Sequence, residues 1–405
     1  MTISGDALKS LAQEAALLPQ EEMLEVGRQE KKLYLGIPKE TSFKENRVAV
    51  SPEAISLLTA HGHEVVVETN AGKLASFSDN DYSEAGARIA YDREEVFKAD
   101  LIFKVAPPTN DEIDMMQMRQ TLFSALQLTV QPKNTLEKLM KKRVTAIAWD
   151  YVKDNSGIFP VIRSMGELSG NTAILKAGQY LSEEDGRGML LGGVAGIAPA
   201  EVVIIGAGTV AEYAARAALG LGAIVKVFDN STYKLRRLQN SLNQRIYTSV
   251  ITPKVLAKAL KRADVAIGAL RAPAGRTPLV VSEKMVQDMK EGSVIIDVSI
   301  DQGGCFETSR VTSHKNPTYK EYGIIHYCVP NIASSVPRTA SFALSNIFAP
   351  LILDIGEGGG MEKIIRSNSG FRHGVYMYNG TLTSSYLGDT FGLPYKDLNL
   401  IMAAF

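Results

Sequence analysis

Residues 201–211 read Glu-Val-Val-Ile-Ile-Gly-Ala-Gly-Thr-Val-Ala, and this stretch decides the architecture. Its run of β-branched apolar residues suits a strand buried on both faces. Gly206 to Ala211 then follows the pattern Gly-x-Gly-x-x-Ala, the turn that joins the first strand of a Rossmann unit to its helix. Gly206 permits the tight turn, Gly208 lets the backbone approach a pyrophosphate, and Ala211 lets the helix lie close on the strand. The helix N-terminus aims free N–H groups at the phosphates. The next apolar run, Ile224–Phe228, ends at Asp229, where an acid accepts from a ribose 2′-hydroxyl and repels a 2′-phosphate. The sequence therefore predicts a dinucleotide site made by Gly206, Gly208, Ala211 and Asp229, with NAD as cofactor. Lys234, Arg236 and Arg237 follow soon after and could hold a 2′-phosphate, but they also read as a solvated helix face.

Outward from this unit, strands alternate with helices in both directions. Residues 33–37, 63–68, 101–105, 121–128 and 144–149 read as strands, with helices over 54–61, 79–87 and 135–142 between them. Ser51-Pro52 opens the first helix as N-cap and first helical residue. Such alternation indicates parallel sheets covered on both faces. Residues 165–182 suit a helix linking two domains, and residues 342–353 read as a helix that Pro350 should kink. The predicted fold is α/β, with two Rossmann-like doubly wound domains, an interdomain cleft and a discontinuous outer domain. Residues 33–160 and 335–405 would form the outer, substrate domain, 161–334 the nucleotide domain, and 1–32 an N-terminal extension, either helical or a frayed, solvated appendage.

Composition narrows the function. Lysine plus arginine and aspartate plus glutamate both total 44 in 405 residues. With no basic surplus there is no electrostatic footprint for nucleic acid or an acidic membrane surface. The apolar runs are far shorter than the roughly 18 residues of a membrane span, so a cytoplasmic protein is expected. Two cysteines, Cys305 and Cys328, are too few for a disulfide scaffold and read as buried small hydrophobes. The five histidines show no metal-ligand spacing. His61 and His63 flank the end of the first helix and are expected to face solvent, whereas His326 reads as a core imidazole.

Specific motifs then point to a family. Gly36-Ile37-Pro38-Lys39-Glu40, with Glu45-Asn46-Arg47-Val48-Ala49 after it, resembles the start of the alanine dehydrogenase and transhydrogenase alpha-subunit family. Three other stretches are similar to alanine dehydrogenase: residues 191–194, 300–310 (Ile-Asp-Gln-Gly-Gly-Cys-Phe-Glu-Thr-Ser-Arg) and 326–339, from His-Tyr-Cys-Val-Pro-Asn to Val-Pro-Arg-Thr. The resemblance spans about residues 33–353. It implies NAD-dependent oxidative deamination of L-alanine to pyruvate and ammonia, and the reverse, in a homo-oligomer, commonly a hexamer. Residue by residue, it implies that Arg47 grips the substrate carboxylate, Met165 packs on the substrate and Asn331 lies near the nicotinamide. Asp301 supports catalysis.

Two positions depart from the family pattern. Ala106 stands where alanine dehydrogenases carry a substrate-binding lysine, and Gln127 where they carry a histidine. Gln127 can donate to a carbonyl but cannot titrate near neutral pH, and losing a positioned acid–base group costs about 10²–10⁴-fold in rate. Lys104 lies two residues from Ala106 and shares its face of a regular strand, so it is a candidate replacement, or else a structural lysine at a strand end. Two alternatives follow: an NAD-binding homologue without amino-acid turnover, or a dehydrogenase for a different amino or 2-oxo acid.

Overall fold

The computed structural model describes residues 31–42, 45–126, 132–272 and 276–403. The predicted extension lies almost wholly outside the described residues, as does Gln127.

In the first part of the chain six strands, β1 (Tyr34–Ile37), β2 (Glu64–Glu68), β3 (Arg88–Ala90), β4 (Leu101–Phe103), β5 (Thr121–Ser124) and β6 (Thr145–Ala148), pair in parallel. Seven more build a second sheet: β7 (Glu201–Ile205), β8 (Ile224–Phe228), β9 (Tyr247–Ser249), β10 (Val265–Gly268), β11 (Val294–Asp297), β12 (Thr318–Glu321) and β13 (Ile324–Tyr327). The chain then returns: β14 (Val375–Tyr378) joins the first sheet antiparallel to β6, and β15 (Thr381–Leu382) lies antiparallel to β14. The orders are β15-β14-β6-β5-β4-β1-β2-β3 and β12-β13-β11-β10-β7-β8-β9. Read inward from β3 and from β9, both follow the Rossmann order, with switch points at β1/β4 and β7/β10. Ligands of open α/β sheets bind in such crevices, beyond the carboxyl ends of the strands.

Two long helices connect the sheets. Helix Pro160–Ser182 begins five residues before its predicted start, because proline is well suited to the first helical position. Its small residues make its packing close. A Cβ on Gly170 would lie 2.4 Å from the Val210 carbonyl oxygen, so helix Thr209–Gly220 rests almost backbone to backbone on it. Ala173 and Ala177 on one helix and Ala211, Ala214 and Ala218 on the other are fully buried in this seam. Helix Pro337–Glu357 runs uninterrupted through Pro350. By length and composition it could cross a membrane, unlike anything expected from the shorter apolar runs. Here it is a core helix: Ala340, Leu344, Phe348, Ile352 and Ile355 are buried in the cluster around β1, β4 and β5.

His63 corrects its expectation. It is buried, with Nδ1 accepting from the Leu33 amide at 3.4 Å and its ring pressed against Gly356 of the long helix, while His61 is exposed. His326 is the expected core imidazole, stacked on Tyr319 and bonded to Thr308 at 2.8 Å. Both cysteines are buried thiols.

Candidate active site

The glycine turn sits at the β7/β10 switch point. Gly206 has φ +116°, and a Cβ there would lie 2.4 Å from the Ala269 carbonyl oxygen. Gly208 is the N-cap of helix Thr209–Gly220, and nothing stands within 4 Å of where its Cβ would be. The first glycine is demanded by protein packing; the second leaves an open cradle above the helix N-terminus. Ala211 is fully buried beneath it. Asp229 is buried, and its oxygens accept from the Ala207 amide at 2.8 Å and the Ser231 amide at 2.7 Å. This carboxylate therefore holds the glycine turn in shape, a role the spacing did not reveal, and each oxygen keeps a lone pair for a ligand hydroxyl. Lys234, Arg236 and Arg237 are exposed on their helix.

A second set of residues meets where the two sheets face one another. Arg47 is buried; its Nε and Nη2 donate to Glu45 at 2.7 Å each, and its Nη1 points at the Met165 sulfur, 3.1 Å away. Glu45 also accepts from Asn331 Nδ2 at 2.7 Å and from the Ser334 hydroxyl at 3.1 Å. The Asn331 backbone, in the left-handed region at φ +56°, donates its amide to Asp301 Oδ1 at 2.8 Å. Arg47, Met165, Asn331 and Asp301, far apart in the chain, are thus brought together, with Glu45 as the hub that sequence reading quoted but did not single out. A charged side chain two residues from the arginine was the available signal.

The electrostatics follow from this packing. Burial pushes the Glu45 carboxyl up, but the Arg47 charge and hydrogen bonds outweigh it and hold the group below its ordinary value. Asp301 is reachable by solvent yet surrounded by protein. Burial raises its carboxyl, against the Asn331 amide and the Arg47 charge. Asp297 anchors the turn carrying Asp301: it accepts from the Ser299 and Cys305 amides at 3.1 and 3.0 Å and from the Ser309 hydroxyl at 2.7 Å. Burial raises its carboxyl as well.

Lys104 is placed differently from its expected role as a substrate contact. It is fully buried at the β1/β4 switch point, with Nζ bonded to Glu40 at 2.9 Å and Glu112 at 3.0 Å. Glu40 also receives the Val105 amide at 2.6 Å, and its charge reaches Arg47. Lys104 therefore approaches Arg47 only through Glu40, and Ala106 near it is buried and apolar. No group of three or more histidine, cysteine or acidic side chains with metal-binding geometry occurs among the described residues.

Paired Rossmann-type sheets, a glycine turn in one and an arginine–carboxylate cluster between them define a two-domain α/β protein of the nucleotide-binding dehydrogenase architecture. The comparisons make the assignment particular. Residues 36–169 match the alanine dehydrogenase/PNT N-terminal domain and residues 173–385 the alanine dehydrogenase/PNT C-terminal domain; the chain belongs to the alanine dehydrogenase/PNT family. An alanine dehydrogenase of Mycolicibacterium smegmatis is 39% identical over 373 residues, 92% of this chain and 100% of the relative. One of Methanococcus maripaludis is 39% identical over 366 residues, 90% of this chain and 98% of the relative. A solved L-alanine dehydrogenase superposes with a TM-score of 0.83 at 35% identity, covering 88% of this chain and 99% of that one. A transhydrogenase from Sinorhizobium meliloti shares the fold, at a TM-score of 0.74 and 22% identity over 87% of this chain and 99% of that one.

Proposed function

We propose that this protein is an NAD-dependent alanine dehydrogenase, converting L-alanine, water and NAD⁺ to pyruvate, ammonium, NADH and a proton, and the reverse. The observation that carries the reading is the cluster in which Arg47, Glu45, Asn331 and Asp301 converge between the two sheets. Residues 33–160 and 335–405 serve as the substrate domain and 161–334 as the nucleotide domain.

NAD fits the open cradle above Gly208; Gly206 and Gly208 admit its pyrophosphate, Ala211 sets the helix beneath, and Asp229 takes the adenosine ribose. When bound it supplies the acceptor for the α-hydrogen. The chain's own residues do the rest. Arg47 binds the substrate carboxylate through the edge of its guanidinium that Glu45 leaves free, and a planar fork suits a carboxylate. Met165 packs on the substrate side of that fork. Asn331 places the Asp301 carboxylate, whose raised pKa suits it to hold and release a proton at Oδ2. Gln127 donates to the carbonyl oxygen of pyruvate. Lys104 orients Glu40 behind Arg47 and is a positioning residue.

The buried, apolar Ala106 favours a second reading, an NAD-binding homologue that does not turn over amino acids. Purified protein given L-alanine and NAD, followed by absorbance of NADH, separates the two. Steady turnover supports the first, and intact NAD binding without turnover at any pH supports the second. On this reading the protein acts on a small molecule, in the cytoplasm, as a homo-oligomer, with a hexamer the expected form. Sedimentation would show the subunit number.

A further inference from the structure

Among the described residues around Arg47, carboxylates outnumber cations. Glu45 takes two of the Arg47 hydrogen bonds and neutralises it, and Asp301 adds a further carboxylate beside it. Lys104 does not redress the balance, because Glu40 and Glu112 enclose its ammonium, and Ala106 carries no charge. A substrate entering as a carboxylate therefore meets a surplus of anions in a partly dehydrated cleft, where an unbalanced charge is costly.

A cation on the second sheet's side lies near this deficit. Arg271 follows β10 at the carboxyl edge of the second sheet, beside the switch point. Its neighbour Ala272 is tied both ways to Gln302: the Ala272 amide donates to Oε1 at 3.0 Å, and Nε2 donates to the Ala272 carbonyl at 3.3 Å. Gln302 directly follows Asp301, so the Arg271 backbone is pinned beside the Asp301 turn. The Arg271 side chain is exposed and has no hydrogen bond or ion pair among the described residues. Its charge is felt both by Asp301, on the second sheet's side, and by Tyr151, on the first's.

We infer that Arg271 is the second cation of the substrate site, meeting from the nucleotide domain the carboxylate that Arg47 meets from the substrate domain. An exposed guanidinium that gives no donor to a described residue is ready for a carboxylate, and its positive charge cancels the surplus left by Glu45 and Asp301. The grip is divided between the domains, so it is complete only when both face the same ligand. Arg271 then selects for anionic substrates, amino acids and 2-oxo acids, over their amides. This rests on the amino-acid reading of the cleft proposed above.

The test is calorimetric titration of pyruvate into the full-length protein saturated with NADH, for the unmodified chain and for Arg271→Met, Arg271→Lys and Arg271→Glu. Arg271→Met should weaken pyruvate binding at least tenfold, Arg271→Lys should restore part of it, and Arg271→Glu should abolish it. NADH affinity, read by its fluorescence, should stay within about twofold, and the thermal midpoint should not move, since the side chain is exposed. In turnover the loss should fall on KM for the carboxylate substrate with kcat little changed. Unchanged pyruvate affinity in Arg271→Met overturns the inference, and so does a loss confined to NADH, which would give Arg271 to a cofactor phosphate. Failure of the unmodified protein to bind pyruvate overturns it too. Because binding is read without turnover, the two proposals separate. An unmodified protein that binds pyruvate through Arg271 yet forms no alanine supports this inference and defeats the reaction. One that turns over alanine with Arg271→Met unimpaired does the opposite.

Discussion

Asn331 and Glu45 stand 286 positions apart in the chain and meet at 2.7 Å, side-chain amide to carboxylate. The same asparagine gives its backbone amide to Asp301, so one residue links the Glu45 loop, beside the first sheet, to the Asp301 turn that follows β11 of the second. Its two functions can be separated. Asn331→Gly keeps the left-handed backbone and loses only the side chain, whereas Asn331→Ala also strains the backbone by about 1–2 kcal/mol. Asn331→Gly should raise KM for alanine about tenfold with a near-normal melting temperature. Asn331→Ala should show the same kinetic defect together with a lower melting temperature.

The two glycines of the nucleotide turn should respond differently to alanine. Gly206→Ala places a methyl against the Ala269 carbonyl at a positive φ, so both melting temperature and NADH affinity should fall. Gly208→Ala meets no protein atom within 4 Å, so the fold should be intact while NADH affinity drops tenfold or more. Parallel melting curves and fluorescence titrations check the contrast; equal melting losses would contradict it.

Lys104 is the only positive partner of Glu40 in the described structure, and it shares Glu112 with Arg93. Lys104→Met leaves the buried Glu40 carboxylate without its ion-pair partner, while Glu112 keeps Arg93; breaking a buried pair typically costs about 3–5 kcal/mol. Urea unfolding should show that loss, and adding Glu40→Gln should recover a good part of it. If Lys104 instead touched substrate directly, kinetics would collapse with stability unchanged.

The pH response has two opposite parts. Glu45 is held below its ordinary value of 4.5, so it binds protons less tightly folded than unfolded. Its contribution to stability is present above that value and is lost as pH falls through its folded pKa. Glu45→Gln should therefore flatten the acid side of the stability curve below about pH 4.5, as read by denaturant midpoints. Asp301 is raised above its ordinary 3.8; it favours the fold below that pH, and this advantage fades as pH rises through the folded pKa. The acid limb of kcat/KM should lie above the ordinary aspartate range and vanish in Asp301→Asn.

The central parallel strands and the nucleotide turn were legible because their signals are local: a buried apolar run, glycines at set spacing and an acid at the end of the next strand; the short strands at the sheet margins, β3, β12, β14 and β15, were not. Helix Pro160–Ser182 was legible in part, its start obscured by a proline that reads equally as a breaker. What stayed hidden depends on partners distant in sequence. His63 sits at a helix end as a surface residue would, and the long helix at Gly356, nearly three hundred positions later, packs against it. Lys104 shares the face of Ala106, but Glu40 and Glu112 decide where its charge goes. Arg271 carries no motif; its place beside Asp301 depends on Gln302 holding Ala272.

The seam between helices Pro160–Ser182 and Thr209–Gly220 has a consequence for how the molecule can vary. At Gly170 the spacing is that of two bare backbones, so no side chain is available there to be trimmed or rotated. The helix that carries the chain out of the first domain and the helix that opens at the glycine turn thus behave as one welded bar. Sequence drift at this weld has almost no room: a single added carbon pushes the turn, and whatever lies on it, away from the rest of the site.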